Sequence, residues 1–282
     1  MTMQQQISAA LGVHPEIDPA AEVERRVKFL ADYLVNTGAR GYVLGISGGQ
    51  DSTLAGRLCQ LAVERVRSLK EKYGDGELVN DPVFVAVGLP YKVQADADDA
   101  AAAMAFIKPD KSYTVNIEPA VTGVEASLKD LFPAGLTDFN RGNVKARVRM
   151  IEQYAIAGEL GLLVVGTDHA AEAVTGFYTK FGDGACDITP LAGLTKGQGR
   201  AMLKYLGAPA RLHEKAPTAD LLDGKPGQTD EAELGVSYDT IDKYLTGAPV
   251  AATDGGLIEE KYLKTEHKRR PPVTPDDNWW RR

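Results

Sequence analysis

Between Gly45 and Ser52 the sequence reads Gly-Ile-Ser-Gly-Gly-Gln-Asp-Ser, a glycine pair enclosed by hydroxyl, amide and carboxylate side chains. Such a turn between a strand and a helix brings backbone N–H groups close to an anion, and the helix start adds roughly half a positive charge. A kinase-style phosphate loop requires lysine and a hydroxyl directly after its last glycine. Gln50 and Asp51 stand in that place, so the γ-phosphoryl reading fails, and the Gly-x-Gly-x-x-Gly dinucleotide pattern is absent too. Helix capping explains Asp51 or Ser52 taken alone, but it does not call for Gly48 and Gly49 side by side. An aspartate next to phosphate is repelled unless a cation separates them, and Mg²⁺ is commonly held by one or two carboxylates together with phosphate oxygens. The turn therefore points to a nucleotide site in which Asp51 holds metal.

That chemistry needs a strand ahead of the turn and a helix behind it. Residues 41–47 are apolar strand formers, and the following residues place Leu54, Leu58, Leu61 and Leu69 on a helical stripe. Upstream, Val23, Val27, Leu30 and Leu34 mark an amphipathic helix stopped by Gly38. The pattern repeats downstream. A strand over 82–90 precedes a helix over 93–107 whose first turn carries Asp96, Asp98 and Asp99, favourable against the helix dipole. A third strand is expected at 113–117, then helices, one with Val144, Val148, Ile151 and Ala155 on one face, then a fourth strand at 160–168. Apolar strands alternating with helices predict a Rossmann-like α/β fold, an open parallel sheet with helices on both faces, as one domain over residues 1–282. Such sheets bind ligands beyond their strand C-termini, where both 45–52 and 166–172 leave the sheet. Beyond residue 210 a Pro-, Gly- and Asp-rich loop and short helices follow.

The bulk properties exclude several partners. A net charge of -7 argues against an electrostatic grip on nucleic acid. The longest apolar runs are too short to cross a bilayer, and the first residues lack a secretory pattern, so a cytoplasmic protein with small-molecule partners is expected. Cys59 and Cys186 form no CxxC pair, and the four histidines show no ligand spacing.

The segment Ser-Gly-Gly-Gln-Asp-Ser resembles the signature of ATP pyrophosphatases of the adenine nucleotide alpha hydrolase type. Further segments at 45–62, 136–147, 166–184, 215–223 and 262–270 resemble the ammonia-dependent NAD synthetases along essentially the whole chain. The resemblance implies that ATP adenylates the nicotinate carboxylate of deamido-NAD⁺ and that ammonia then displaces AMP. It also implies a homodimer whose interface forms part of the deamido-NAD⁺ site. With no glutaminase cysteine in evidence, free ammonia or a separate glutaminase supplies the nitrogen.

By this resemblance Gly45, Ile46, Ser47, Gly48, Gly49, Gln50, Asp51 and Ser52 cradle ATP phosphates, Thr167 and Thr218 contact the nucleotide, and Glu172 shares Mg²⁺ with Asp51. Lys196 matches a lysine on the phosphates and offsets charge as pyrophosphate leaves. Arg147, Lys180, Asp187, His267 and Lys268 match deamido-NAD⁺ contacts, and Phe177 with Tyr33 of the other subunit matches a sandwich around the pyridine ring. Ammonium must lose a proton before it attacks, and Asp183, flanked by glycines, is the carboxylate expected to take it. Water would hydrolyse an acyl adenylate, so 215–229 and 176–184 are expected lids. Gly88 and Gly197 stand where relatives often carry arginine, so contacts from those positions are not carried over; Lys92 is nearby. AMP transfer to another carboxylate or a nucleobase oxygen, and a regulator that holds ATP without turnover, are the competing readings. The acidic charge disfavours a tRNA acceptor.

Overall fold

The computed structural model describes residues 1–73, 81–92, 97–214 and 229–281. Helices α1 (Met3–Ala10) and α2 (Pro19–Thr37) lead into β1 (Gly41–Gly45), α3 (Gln50–Tyr73), β2 (Val83–Gly88), α4 (Ala97–Ile107) and β3 (Lys111–Thr114). There follow α5 (Glu118–Ser127), α6 (Asp138–Leu160), β4 (Leu163–Val164), α7 (Ala170–Thr175) and α8 (Lys196–Tyr205). The chain closes with α9 (Arg211–Glu214), α10 (Asp230–Leu234), α11 (Tyr238–Leu245), α12 (Ala252–Lys264) and α13 (Glu266–Arg269). Local chemistry sets many of the helix ends. Asp18 caps the start of α2 through Ala21 N–H, and Gly38 ends it in the left-handed region at φ 68°.

The four strands are parallel in the order β3-β2-β1-β4. Because successive strand side chains alternate between faces, Tyr42, Leu44, Phe84 and Ala86 pack with α2, α3 and α8 on one side. Val43, Val85, Val87 and Val164 pack against Val121 of α5 and Val148 and Ala157 of α6 on the other. A further cluster joins Ile7, Val174, Tyr238, Ile241 and Ile258, seating α7 and α11 at the end of the sheet. The chain runs outward from β1 through β2 to β3 and then returns to place β4 on the opposite side of β1. This reversal is a topological switch point, where the carboxyl ends of two strands leave a crevice. The segments after β1 and β4 both end in it.

Several expectations need correction. The buried stripe of α3 runs through Leu54, Leu58, Ala62 and Val66, whereas Leu69 is 47% exposed. On α6, Ile151 is 57% exposed and Ala155 is also exposed; Lys145, Ala146, Val148 and Ala157 face inward. That inward face is built from small residues and a lysine, so hydropathy picks a neighbouring face. The third strand lies at Lys111–Thr114 rather than 113–117, and as an edge strand it buries none of its residues. Asp98 and Asp99 do open α4, while Asp96 lies outside the described residues. Among the described residues no helix is long and apolar enough to cross a membrane.

Candidate active site

The glycine-rich turn is held open by its neighbours. Gly45 N–H donates to Gln153 Oε1 at 2.7 Å, Ile46 N–H to the Val87 carbonyl at 2.8 Å, and the Ser47 and Ser52 hydroxyls meet at 3.1 Å. Gly48 has φ +86°, and a Cβ there would lie 2.5 Å from Ala100 N in the first turn of α4. Only glycine fits this junction. Gly49 N–H bonds Ser47 Oγ at 3.2 Å, and Gln50 Nε2 reaches the Lys196 carbonyl at 2.9 Å. Thus the starts of α3 and α8, with first-turn amides that have no acceptor inside their own helices, are tied to one another. From α11, Asp242 receives Lys196 N–H at 3.0 Å and Gly197 N–H at 2.7 Å, fixing the entry of α8.

Four side chains meet where these helices begin. Lys196 Nζ is 2.7 Å from Asp51 Oδ2, and His169 Nε2 is 3.5 Å from Asp51 Oδ1 and 3.7 Å from Glu172 Oε1. Lys196 also lies over the Tyr238 ring, 4.8 Å from its centre. Burial opposes charge on all four, and the outcomes differ. For Asp51, Lys196 and then His169 outweigh burial and hold its carboxyl below the ordinary range. For Glu172, burial and the Asp51 charge push the carboxyl well up. Burial brings His169 down to about 4, leaving a neutral imidazole at neutral pH. Lys196 is held above its ordinary value because Asp51 and Glu172 outweigh its burial.

The ligand atoms of Asp51, His169 and Glu172 lie within 4.8 Å of one another. Both ring nitrogens of the buried His169 lack a hydrogen-bond partner. A buried polar group without a partner beside two converging carboxylates fits a cation site, and the two hard oxygen donors suit Mg²⁺. His169 was not picked out from sequence because its significance depends on neighbours distant in the chain.

Next to this group, Asp168 lines a cavity of about 540 Å³ that extends past Tyr178 and Gly184 to Lys268, Arg269 and Arg270. Burial first, then the nearby charges of Asp183 and Asp51, raise the Asp168 carboxyl to about 7. Asp183 is solvent-accessible, yet the mass of protein around its carboxyl raises it, opposed by the Thr179 N–H bond of 2.9 Å and by Lys268. Thr167 lies one residue before Asp168, half-buried. Residues 176–184 are pinned by Lys268 Nζ, which donates to the carbonyls of Gly176 and Tyr178 at 2.7 Å, and by Thr179 Oγ1, which donates to Asn143 at 2.8 Å. Phe181 projects from them, 55% exposed and at φ +59°.

The remaining sequence-derived residues divide. Arg147 donates to the Lys180 carbonyl at 3.3 Å, and Lys180 Nζ donates to the His267 carbonyl at 2.5 Å, so these three gather beside the cavity. Asp187 is turned toward the sheet: it accepts from Val164 N–H at 2.7 Å and from Tyr154 OH at 3.2 Å. Phe177 packs with the cluster around α7 and α11. Tyr33 stands on α2, 37% exposed beside Phe29, and among the described residues no contact brings it to the site. Gly88 ends β2 beside Thr114, and a Cβ at Gly197 would lie 3.0 Å from Asp242 Oδ2. Thr218 and residues 215–228 lie outside the described residues.

Comparisons with known proteins agree on one family. The sequence model of the family described as NAD synthase matches residues 22–272. The chain is 57% identical, over the full length of both, to an NH(3)-dependent NAD(+) synthetase of Bacillus thuringiensis (strain Al Hakam). Its fold is similar to the crystal structure of NAD+ synthetase from Burkholderia pseudomallei, with TM-score 0.80 and 45% identity over 95% of this chain and 96% of that one. It is also similar to an NMN synthetase from Francisella tularensis, with TM-score 0.80 and 34% identity over 93% of this chain and all of the other.

Proposed function

The chain belongs to the NAD synthase family, and from that premise we propose how its residues carry out the reaction. The activity is ATP-dependent, with ammonia as nitrogen donor and NAD⁺ as product. The observation that carries the mechanism is the meeting of Asp51, Glu172 and Lys196 at the switch point of the sheet. Asp51 and Glu172 would hold Mg²⁺, which when bound supplies positive charge against the phosphates of ATP.

In the first half-reaction the amides from Gly48 onward, with Ser47 and Ser52, cradle the β- and γ-phosphates. The nicotinate carboxylate of deamido-NAD⁺ attacks the α-phosphorus, forming an acyl–AMP bond as the bond to pyrophosphate breaks. Lys196, which neutralises Asp51 beforehand, turns its ammonium toward the charge growing on the leaving pyrophosphate. Thr167 and Thr218 hold the nucleotide. In the second half-reaction Asp183 accepts the proton of ammonium; the nitrogen bonds the acyl carbon and gives up a second proton to solvent, and AMP leaves with the electron pair of the broken C–O bond. Arg147, Lys180, Asp187, Phe177, His267 and Lys268 position deamido-NAD⁺.

Tyr33 of a second subunit completes the pyridine pocket in a homodimer. Exposed apolar side chains, Phe29 and Tyr33 on α2 and Phe139 and Ile151 on α6, support that assembly. The reading takes residues 1–282 as one catalytic domain working in the cytoplasm, where ATP and Mg²⁺ are supplied.

A second reading, amide formation on the nicotinate mononucleotide, draws on the likeness to the Francisella tularensis NMN synthetase. One experiment tests both. The purified protein is given ATP, Mg²⁺ and ammonium with either deamido-NAD⁺ or the mononucleotide, and dinucleotide, NMN and pyrophosphate are followed. NAD⁺ and pyrophosphate in equal amounts are expected from the dinucleotide, with a lower kcat/KM for the mononucleotide; no NAD⁺ from folded protein refutes the proposal. Chelation by EDTA is expected to stop turnover and added Mg²⁺ to restore it.

A further inference from the structure

Three consecutive cations, Lys268, Arg269 and Arg270, line the same 540 Å³ cavity as Asp168 and His169. Two of them donate to protein acceptors. Lys268 holds the Gly176 and Tyr178 carbonyls. Arg269 donates to the Ala173 carbonyl and the Thr265 hydroxyl at 2.9 Å, and stacks 3.9 Å from the centre of the Tyr262 ring.

Arg270 is arranged differently. Its Nε and Nη2 reach a single oxygen, Glu266 Oε1, at 2.8 and 2.7 Å. Its guanidinium lies over Trp279, 5.3 Å from the ring centre, and the side chain stays 47% exposed. The chain after α13 turns back through Thr274, whose N–H and hydroxyl both bond Asp277 Oδ2 at 2.7 and 2.9 Å. That turn brings Trp279 onto the guanidinium. One edge of the fork is thereby fixed by a carboxylate and one face by an indole, while among the described residues no protein acceptor meets Nη1.

We propose that Arg270, oriented by Glu266 and Trp279, binds a phosphate of the dinucleotide acceptor. The inference rests on the NAD synthetase reading and gives a role to a residue of the 262–270 segment to which the resemblance assigned none. The acceptor's carboxylate has to reach the part of the cavity lined by Asp168 and His169, beside the cation site, because AMP is transferred there. Its phosphates need positive partners elsewhere in the same cavity, and Arg270 lines it with its side chain 47% exposed. A planar guanidinium offers parallel N–H groups to phosphate oxygens, and prior orientation reduces the rotamer entropy lost on binding. Arg269 offsets part of the charge of Glu266.

The test is calorimetric titration of deamido-NAD⁺ into the full-length enzyme without ATP, for wild type, R270A, R270K and W279A, with ATP titrated separately. R270A is expected to bind deamido-NAD⁺ about ten- to a hundredfold more weakly, the scale of a lost charge-assisted contact. R270K should recover part of the loss because lysine keeps the charge without the fork, and W279A should show a smaller loss. ATP affinity and melting temperature should stay at wild-type values. An unchanged deamido-NAD⁺ affinity in R270A overturns the proposal, and so does a joint fall of both affinities with the melting temperature. Wild-type protein that produces no NAD⁺ refutes the functional reading; wild-type protein that produces it while R270A binds normally refutes only the role of Arg270.

Discussion

Lys196 Nζ and Asp51 Oδ2 lie 2.7 Å apart although 145 residues separate them in the chain. The lysine occupies the place of a counter-charge for a carboxylate that also faces Glu172. Removing it leaves two acidic groups opposed, with no positive side chain between them.

Lys196→Ala is therefore expected to lower turnover by about 10²-fold or more, as for other losses of a charge partner at a leaving group. Its melting temperature should rise more on adding Mg²⁺ than that of the wild type, since the cation replaces the missing ammonium. Steady-state kinetics and thermal melting with and without Mg²⁺ check both statements. Near-normal turnover would remove Lys196 from the mechanism.

Asp168 gives metal-free stability a definite slope with pH. Its carboxyl titrates at about 7 in the fold against an ordinary 3.8, so between these values the folded protein keeps a proton that the unfolded chain releases. Stability from this group is full below about pH 4 and is lost as pH rises through 7. Glu172, also raised, adds to the same slope, whereas Asp51, held low, acts only at lower pH. Denaturant midpoints in EDTA should fall from pH 5 to pH 8, and Asp168→Asn should flatten the curve. Because a carboxylate must be ionised to hold metal and Glu172 is raised, Mg²⁺ affinity should climb as pH rises and Glu172 loses its proton.

The two glycines of the turn are expected to respond unequally. Gly48→Ala meets the α4 backbone and a positive φ, costing about 1–3 kcal/mol of strain, and should weaken ATP binding at least tenfold. Among the described residues a Cβ at Gly49 meets only Ser47 Oγ at 3.3 Å, so Gly49→Ala should be milder on both counts. Chemical denaturation and ATP titration separate the pair; equal effects would mean that the approach of α4 is not what selects glycine.

Asp183→Asn should leave adenylation intact while slowing amide formation about 10²- to 10⁴-fold, the range of a lost proton acceptor. A rapid-quench experiment would show a full burst of pyrophosphate followed by slow NAD⁺. Loss of the burst along with NAD⁺ formation would point to substrate binding instead.

Ile151, exposed on α6, is the test of assembly. Ile151→Asp should shift sedimentation from dimer toward monomer and lower activity in parallel, with the monomer still folded by circular dichroism. A wild-type monomer that is fully active would rule out a shared pocket.

Much of this molecule can be read from consecutive residues. The strand, glycine turn and helix around Gly48, the cap at Asp18 and the stop at Gly38 each depend on conformations set within a few positions. Periodicity misled where a helix buries small or charged groups: Lys145 and Ala146 face inward on α6, while Ile151 and Leu69 look apolar and lie outside. A one-dimensional hydropathy pattern registers how apolar a side chain is, not what packs beside it.

Resemblance to a family pattern picked out Asp51 with Glu172 as metal partners and Lys196 as a phosphate contact, but it did not bring Lys196 onto Asp51. The roles of His169, Asp168, Asp242 and Arg270 depend on distances between segments that sequence leaves unspecified. Those distances follow from the return of the chain to place β4 against β1, which brings the two loop ends into one crevice. Local propensity builds the strands and turns one at a time; strand order is decided only when all of them bury their apolar faces together. The charges that meet in the crevice are consequences of that packing.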